Sequence, residues 1–162
     1  MTVQIKSISK ADFEQVEKIE LTELQRSIHP PFFRPHSAIA RHFLKLDGEQ
    51  HNYLPFAVYY GEAVVGFFMI ILDPSKTEVV WLSDLMIDHR YQRQGIGTAV
   101  IDLVIKWAHE HTAAKKIRLF CEKENVAARQ FYEKAGFINR VASTGIFTKT
   151  IDLKPPPQSA GA

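Results

Sequence analysis

The segment Leu85-Met86-Ile87-Asp88-His89-Arg90-Tyr91-Gln92-Arg93-Gln94-Gly95-Ile96-Gly97-Thr98 holds the densest chemical information in the chain. It reads as a β-strand that stops, a basic, glutamine-rich turn with two glycines, and an amphipathic helix that starts at or near Gly97. A glycine-opened turn running into a helix presents free backbone N–H groups and the positive end of the helix dipole. Together these make a site for phosphate or another anion. Arg90 and Arg93 add cationic charge beside it.

Two nucleotide-binding templates do not fit. A dinucleotide fingerprint needs G-x-G-x-x-G or Ala directly after a strand, with an acidic residue roughly 20 positions on. Here Val100 stands at the third position, the acidic position falls near Ile117, and a polar turn separates the strand from Gly95. The Gly-Lys-Ser/Thr ending of a phosphate loop is absent. What is present is Gln92-x-x-Gly95-x-Gly97, which resembles the Q/R-x-x-G-x-G/A signature of the GCN5-related N-acetyltransferase (GNAT) superfamily. A spaced glycine pair also occurs in plain loop-to-helix turns, so the resemblance needs a second motif.

The run Asn125-Val126-Ala127-Ala128-Arg129-Gln130-Phe131-Tyr132-Glu133-Lys134-Ala135-Gly136-Phe137 supplies it. Asn125 is a good N-cap, Ala128, Phe131, Tyr132 and Ala135 share one helical face, and Gly136 is a stop signal. Read alone, this is a short helix packing two aromatics into a core. Placed one helix and one strand after the first motif, N-x-x-A-x-x-x-Y-x-K-x-G-F resembles the second GNAT motif position by position. The resemblance covers roughly residues 54–142.

Composition sets bounds that agree. The chain has 162 residues, 46% of them hydrophobic, which is enough for one domain with a real core. Its net charge of +2 comes from scattered acids and bases and gives no nucleic-acid stripe. The single cysteine, Cys121, fits a reducing compartment. No signal-peptide pattern opens the chain, and the longest apolar run, residues 63–72, is too short to span a bilayer. The expectation is a soluble, cytoplasmic domain.

The elements that must position these motifs alternate along the chain. Val3, Ile5 and Ile8 suggest a first strand. Ser9 then caps a helix whose inner face holds Phe13, Val16 and Ile19, with Leu24 a candidate for the same face. Residues 28–36, rich in proline, read as a loop, and a second helix is expected over 37–46. Strands at 54–60 and 63–72 form a hairpin around Gly61-Glu62. A strand over 78–87, the helix 97–111, a strand over 116–121 and the short helix follow. Strands at 137–142 and 145–153 end the domain, taken as residues 1–153. Residues 154–162 form a Pro-rich tail expected to be extended or disordered.

This order predicts an α/β fold with helices on both faces of a mixed sheet. The resemblance makes it a single-domain GNAT fold, with a mostly antiparallel twisted sheet of six to seven strands. Its splayed central strands, 78–87 and 116–121, would receive acetyl-coenzyme A, the implied co-substrate. Backbone groups unpaired by the splay can hold the amide-rich pantetheine arm as a pseudo-strand. The resemblance thus assigns Leu85, Met86 and Ile87 to pantetheine and acetyl contacts. It assigns Arg93, Gln94, Gly95, Ile96, Gly97 and Thr98 to the pyrophosphate, and Asn125 to the cofactor as well as the helix cap. Homodimers occur among relatives, and the sequence identifies no interface.

Acetyl transfer to a primary amine by direct attack through a tetrahedral intermediate sets three demands. A free alkylamine has a pKa near 10 and must lose a proton first. The oxyanion needs a donor, for which a backbone N–H around Met86 is suited. The departing thiolate needs a proton, and Tyr132 matches the family tyrosine that supplies it. For the base, Asp84 shares a face with apolar Leu82 and Met86 by simple alternation, a costly setting for a carboxylate. A bulge would shift that alternation, and Glu122 is the second candidate. His89 reads as solvent-exposed. His109 and His111 do not share a helical face, so no metal site is expected.

The resemblance places acceptor choice where the family varies, in the first two helices, the loop between them and the last hairpin. In the loop, Phe32 and Phe33, with Glu20 and Glu23 preceding it, combine aromatic and carboxylate groups suited to a cationic amine. The phenylalanines fill core equally well. Residues 81–88, with 55–59 and Gly66-Phe67, resemble bacterial spermine/spermidine acetyltransferases more loosely. A polyamine is therefore the leading acceptor. A protein N-terminus or lysine, another small amine, and a non-catalytic acyl-coenzyme A-binding module are the alternatives.

Overall fold

The computed structural model describes residues 1–28, 39–40 and 50–151. The described elements run β1 (Val3–Ser7), α1 (Lys10–Glu17), α2 (Glu23–Ile28), β2 (Asn52–Tyr60), β3 (Ala63–Leu72), β4 (Val79–Ile87), α3 (Ile96–His111), β5 (Lys116–Phe120), α4 (Val126–Lys134) and β6 (Ile146–Thr150). A single 3₁₀ turn, His89–Tyr91, lies between β4 and α3. The six strands form one sheet in sequence order, antiparallel at every step except the parallel β4–β5 pair.

Two apolar clusters sandwich this sheet because adjacent strand residues face opposite sides. Phe68 and Ile70 of β3 pack with Val100 and Val104 of α3 and Phe147 of β6. Phe67 and Met69 pack on the other side with Val16 of α1. β3 is covered on both faces, which is why its sequence is a continuous apolar run and not an alternating one. The expected α/β architecture, helices on both faces included, is what the chain adopts.

Two local features of β4 build the cleft. Its pairing with β5 covers only Val79, Val80 and Trp81 against Lys116, Ile117 and Arg118. Beyond Trp81 the strands part, as expected for splayed central strands. On the other edge, Met69 pairs Ser83 and Phe67 pairs Met86, so Asp84 and Leu85 both stand opposite Phe68. This is a β-bulge, and Asp84 takes a left-handed φ of 61° within it. The alternation therefore breaks: Leu82 faces the α3 cluster while Met86 faces the α1 cluster. The expectation that Asp84 shares one apolar face with both is corrected.

Other expectations shift as well. The first helix stops at Glu17, and the chain resumes as α2, leaving Leu24 70% exposed. The break occurs because the Glu20 backbone is drawn into bonds with Asp88 and His89. The strand expected at 137–142 reduces to one bridge between Ile138 and Thr148. There the Asn139 side chain accepts from the Val141 N–H, and Thr144 bonds the Val141 carbonyl, so local turn chemistry displaces the ladder. Of the helix expected over 37–46, Ile39 and Ala40 are described and helical. Its remainder, the Phe32–Phe33 loop and the 154–162 tail lie outside the described residues. No helix among the described residues is long and apolar enough to cross a membrane.

Candidate functional site

The turn after β4 is held by a buried carboxylate. Asp88, 2% exposed, accepts from the Arg90 backbone N–H (3.0 Å), Arg90 Nε (2.8 Å), Arg90 Nη2 (2.7 Å) and the Glu20 N–H (3.1 Å). The Arg90 guanidinium, chiefly, holds its carboxyl down at about 2. Because the folded-state value is depressed, the resulting stabilisation is present above pH ~4 and is lost as pH falls towards 2. Arg90 is 57% exposed, so solvent screening limits the contribution to about 1 kcal/mol. Asp88→Asn should therefore lower stability by that amount at pH 7, with the two proteins converging near pH 2. Urea unfolding across this range checks it; a gap that stays constant with pH would point to packing instead of charge.

Downstream of the anchored turn, Gly95 adopts a φ of 77° and opens α3, so the first N–H groups of that helix face outwards. A Cβ at Gly95 would meet nothing within 4 Å, so what glycine supplies there is its left-handed backbone. Gly97 serves differently: its missing Cβ leaves room for the Phe131 ring, which would lie 3.1 Å away. The two motifs read from sequence thus touch at Gly97 and Phe131.

α4 presents the second motif. The Asn125 side chain caps it by accepting the Ala128 N–H at 3.3 Å. Tyr132 is fixed by aromatic neighbours, with ring centroids at 5.1 Å to Phe131, 5.8 Å to Phe137 and 6.4 Å to Phe147. Burial raises the pKa of its hydroxyl well above the ordinary tyrosine value, with further contributions from Cys121 and Asp84. Burial likewise pushes the Cys121 thiol up to about 11. Both groups are therefore neutral at physiological pH.

These elements enclose a cleft of about 420 Å³. Of the residues singled out from sequence, Leu85, Met86, Ile87, Arg93, Gly95, Gly97, Thr98, Asn125 and Tyr132 line it together. Gln94 and Ile96 do not. The Gln94 amide turns back to the Arg90 carbonyl (3.2 Å), and the Ile96 side chain is buried in the core. Asp84 and Glu122 are also outside the lining, with Asp84 adjoining the lining Leu85 in the β4 bulge. Glu20 pairs with His89 across 3.5 Å.

The lining also includes Leu21, Gln25, Tyr91, Ala127 and Gln130, which the sequence does not single out, and Gln92, Ala128, Phe131 and Lys134, which the two motifs already contain. For Gln25 a signal existed. Thr22-x-x-Gln25 is a capping-box pattern, and both of its bonds form, Thr22 N–H to Gln25 Oε1 (3.0 Å) and Gln25 N–H to Thr22 Oγ1 (3.2 Å). For Leu21 no local pattern announces the role.

A parallel strand pair that parts beneath a glycine-opened helix, with an aromatic helix across the gap, defines an α/β cleft built for an extended, anionic ligand. The family to which this chain belongs is the acetyltransferase (GNAT) family, whose model matches residues 16–137. The spermine/spermidine N(1)-acetyltransferase of Bacillus subtilis (strain 168) is 35% identical over 94 residues, 55% of this chain and 62% of that relative. The match thus spans under two thirds of the relative's own length.

Solved structures agree in fold. The spermidine N-acetyltransferase from Vibrio cholerae, solved with CoA and spermine, superposes with a TM-score of 0.67 at 15% identity, covering 86% of this chain and 82% of that one. The ribosomal-protein-S18-alanine N-acetyltransferase from Escherichia coli gives 0.64 at 21% identity, covering 93% and 95%.

Proposed function

We propose that this chain transfers the acetyl group of acetyl-coenzyme A to a primary amine of a small molecule, a polyamine such as spermine or spermidine. The observation that carries this reading is the convergence of three features on one cleft: the edge of β4 that β5 leaves beyond Trp81, the N-terminus of α3, and Tyr132. The proposed catalytic domain runs over residues 1–153.

The residues fit the co-substrate in kind. Leu85, Met86 and Ile87 floor the cleft along an edge that β5 has left. The Ile87 carbonyl accepts from Gln92 and the Met86 carbonyl faces β3, so the remaining backbone groups of this segment are the ones suited to amides of a pantetheine arm. Arg93, Gly95, Gly97 and Thr98 surround the helix N-terminus, suited to a pyrophosphate. Gln94 and Ile96 contribute through their backbone, since their side chains are engaged elsewhere. Asn125 spends its side-chain oxygen on the cap and keeps its NH₂ for the ligand.

Acetyl-coenzyme A, when bound, supplies an acyl group activated as a thioester. Around Met86 the chain offers a backbone N–H to the developing oxyanion. Tyr132, protonated at physiological pH and kept so by burial to higher pH than an ordinary tyrosine, donates its proton to the departing thiolate. Asp84 is assigned to remove the proton from the attacking ammonium, directly or through water, with Glu122 the alternative. Asp84 is favoured because it stands in the β4 bulge next to the cleft-lining Leu85.

Two points support the polyamine: the 35% identity to a spermine/spermidine acetyltransferase, and Glu20 and Glu23 on either side of the cleft-lining Leu21. The test is thiol release from acetyl-coenzyme A across polyamines, amino acids, aminoglycosides and peptides. Spermine and spermidine are expected to give the highest kcat/KM. Release with peptides alone would move the assignment to a protein amine. Tight coenzyme A binding with no amine-dependent release would leave only a binding module.

A further inference from the structure

We propose that Gln25 is a positioning residue that couples α2 to the pyrophosphate turn through Gln92, so that occupation of the turn orders the wall facing the amine. This rests on the acetyltransferase reading above and adds a connection inside the same cleft. Gln25 and Gln92 lie 67 positions apart in sequence, and both line the cleft.

Their carboxamides form a reciprocal pair. Gln92 Nε2 donates to Gln25 Oε1 at 3.1 Å, and Gln25 Nε2 donates to Gln92 Oε1 at 3.3 Å. The orientation of an amide is normally ambiguous, but here each end is pinned by backbone. Gln92 Nε2 also donates to the Ile87 carbonyl at 2.7 Å, which requires a nitrogen at that position. Gln25 Oε1 also accepts the Thr22 N–H at 3.0 Å, which requires an oxygen. The two constraints agree, and together they dictate the pairing.

The result is a continuous chain of hydrogen bonds. It runs from the first turn of α2, through Gln25 and Gln92, to Ile87 at the end of β4 on the cleft floor. The glutamine of the Q-x-x-G-x-G motif thus turns its side chain away from the α3 N-terminus and back towards α2. Glu20 makes separate ties to Asp88 and His89 that hold the preceding link in place. Breaking the amide pair therefore leaves that link docked but frees the helix behind it. Hydrogen-bonded networks of this kind are worth more together than singly, because each member fixes the next.

Three variants and one control test this. Gln25→Met and Gln92→Met each remove one carboxamide at similar volume, and the double variant removes both. Thr22→Ala weakens the α2 cap but leaves the Thr22 N–H and the amide pair intact. The readouts are the Kd for coenzyme A by calorimetry and hydrogen exchange of residues 23–28 with and without coenzyme A.

In the native protein, coenzyme A should slow exchange in that segment. In Gln25→Met and Gln92→Met the slowing should fall at least fivefold. The Kd should rise about five- to tenfold in each, the effect of one hydrogen-bonded tie, and no further in the double variant. Thr22→Ala should exchange faster in the free protein yet keep its response to coenzyme A. Additive losses in the double variant, or a Thr22→Ala protein that behaves like Gln25→Met, would overturn the coupling. If the single variants bind coenzyme A and retain the slowing as the native protein does, this inference fails alone. If the native protein does not bind coenzyme A, the acetyltransferase reading fails and takes this inference with it.

Discussion

Tyr132→Phe is expected to lower kcat by about 10²- to 10³-fold, the range for loss of a general acid, or roughly 3–4 kcal/mol of transition-state stabilisation. Coenzyme A affinity and thermal midpoint should stay close to native. The ring is held by Phe131, Phe137 and Phe147, and phenylalanine keeps all three contacts. Only the hydroxyl is lost, and with it the proton proposed for the departing thiolate. A core role for Tyr132 would give the opposite pattern, a protein less stable and less active in parallel.

The pH dependence follows with its sign. Because its pKa is raised, the Tyr132 hydroxyl remains protonated past the ordinary tyrosine value near 10, so its ionisation produces no alkaline fall in kcat below pH ~10. The same shift makes a stability contribution that is present below pH ~10 and is lost as pH rises beyond it. Tyr59, raised to about 12 chiefly by its hydrogen bond to Asp12, acts in the same direction. A kcat profile that falls between pH 7 and 9 in the native protein and is flat in Tyr132→Phe would contradict the raised pKa.

The sequence made the fold and half of the cleft legible because those signals are local. The glycine-opened turn at Gly95, the Asn125 cap and the aromatic face of α4 are each written within one helical turn. What stayed hidden is non-local. Gln25 meets Gln92, and Asp88 meets the Glu20 backbone, only because the α1–α2 link folds onto the end of β4. Nothing near Lys18 in sequence announces that α1 must stop there. The same competition operates at 137–142, where the apolar residues suggest a strand. Asn139 and Thr144 instead satisfy the backbone locally. Asp84 is intermediate: its apolar neighbours flagged it, but only the bulge shows that those neighbours face opposite sides.

Gly66→Ala is the substitution expected to damage the cleft most from outside it. Gly66 is buried in β3 opposite Ile87, and its role is close approach and not unusual backbone conformation. A Cβ there would lie 2.6 Å from the Met86 carbonyl oxygen, 2.7 Å from Ile87 Cδ1 and 3.2 Å from Val58 Cβ. The methyl group of Ile87 can rotate away, whereas the Met86 carbonyl belongs to the strand backbone. β3 and β4 must therefore move apart at the residues that floor the cleft.

Overpacking of this kind costs about 1–3 kcal/mol in stability. The displacement also reaches Ile87, whose carbonyl holds Gln92, and Asp88, whose N–H bonds the Val65 carbonyl at 2.8 Å. Coenzyme A affinity should fall at least tenfold, more than the stability loss alone explains at temperatures where the variant is folded. Adding Ile87→Val separates the two contacts. It removes the Cδ1 clash and leaves the carbonyl clash, so Gly66→Ala/Ile87→Val should bind coenzyme A no better than Gly66→Ala. Recovery of native affinity in the double variant would assign the damage to the side chain, and the strand floor would then be less rigid than the geometry at Met86 requires.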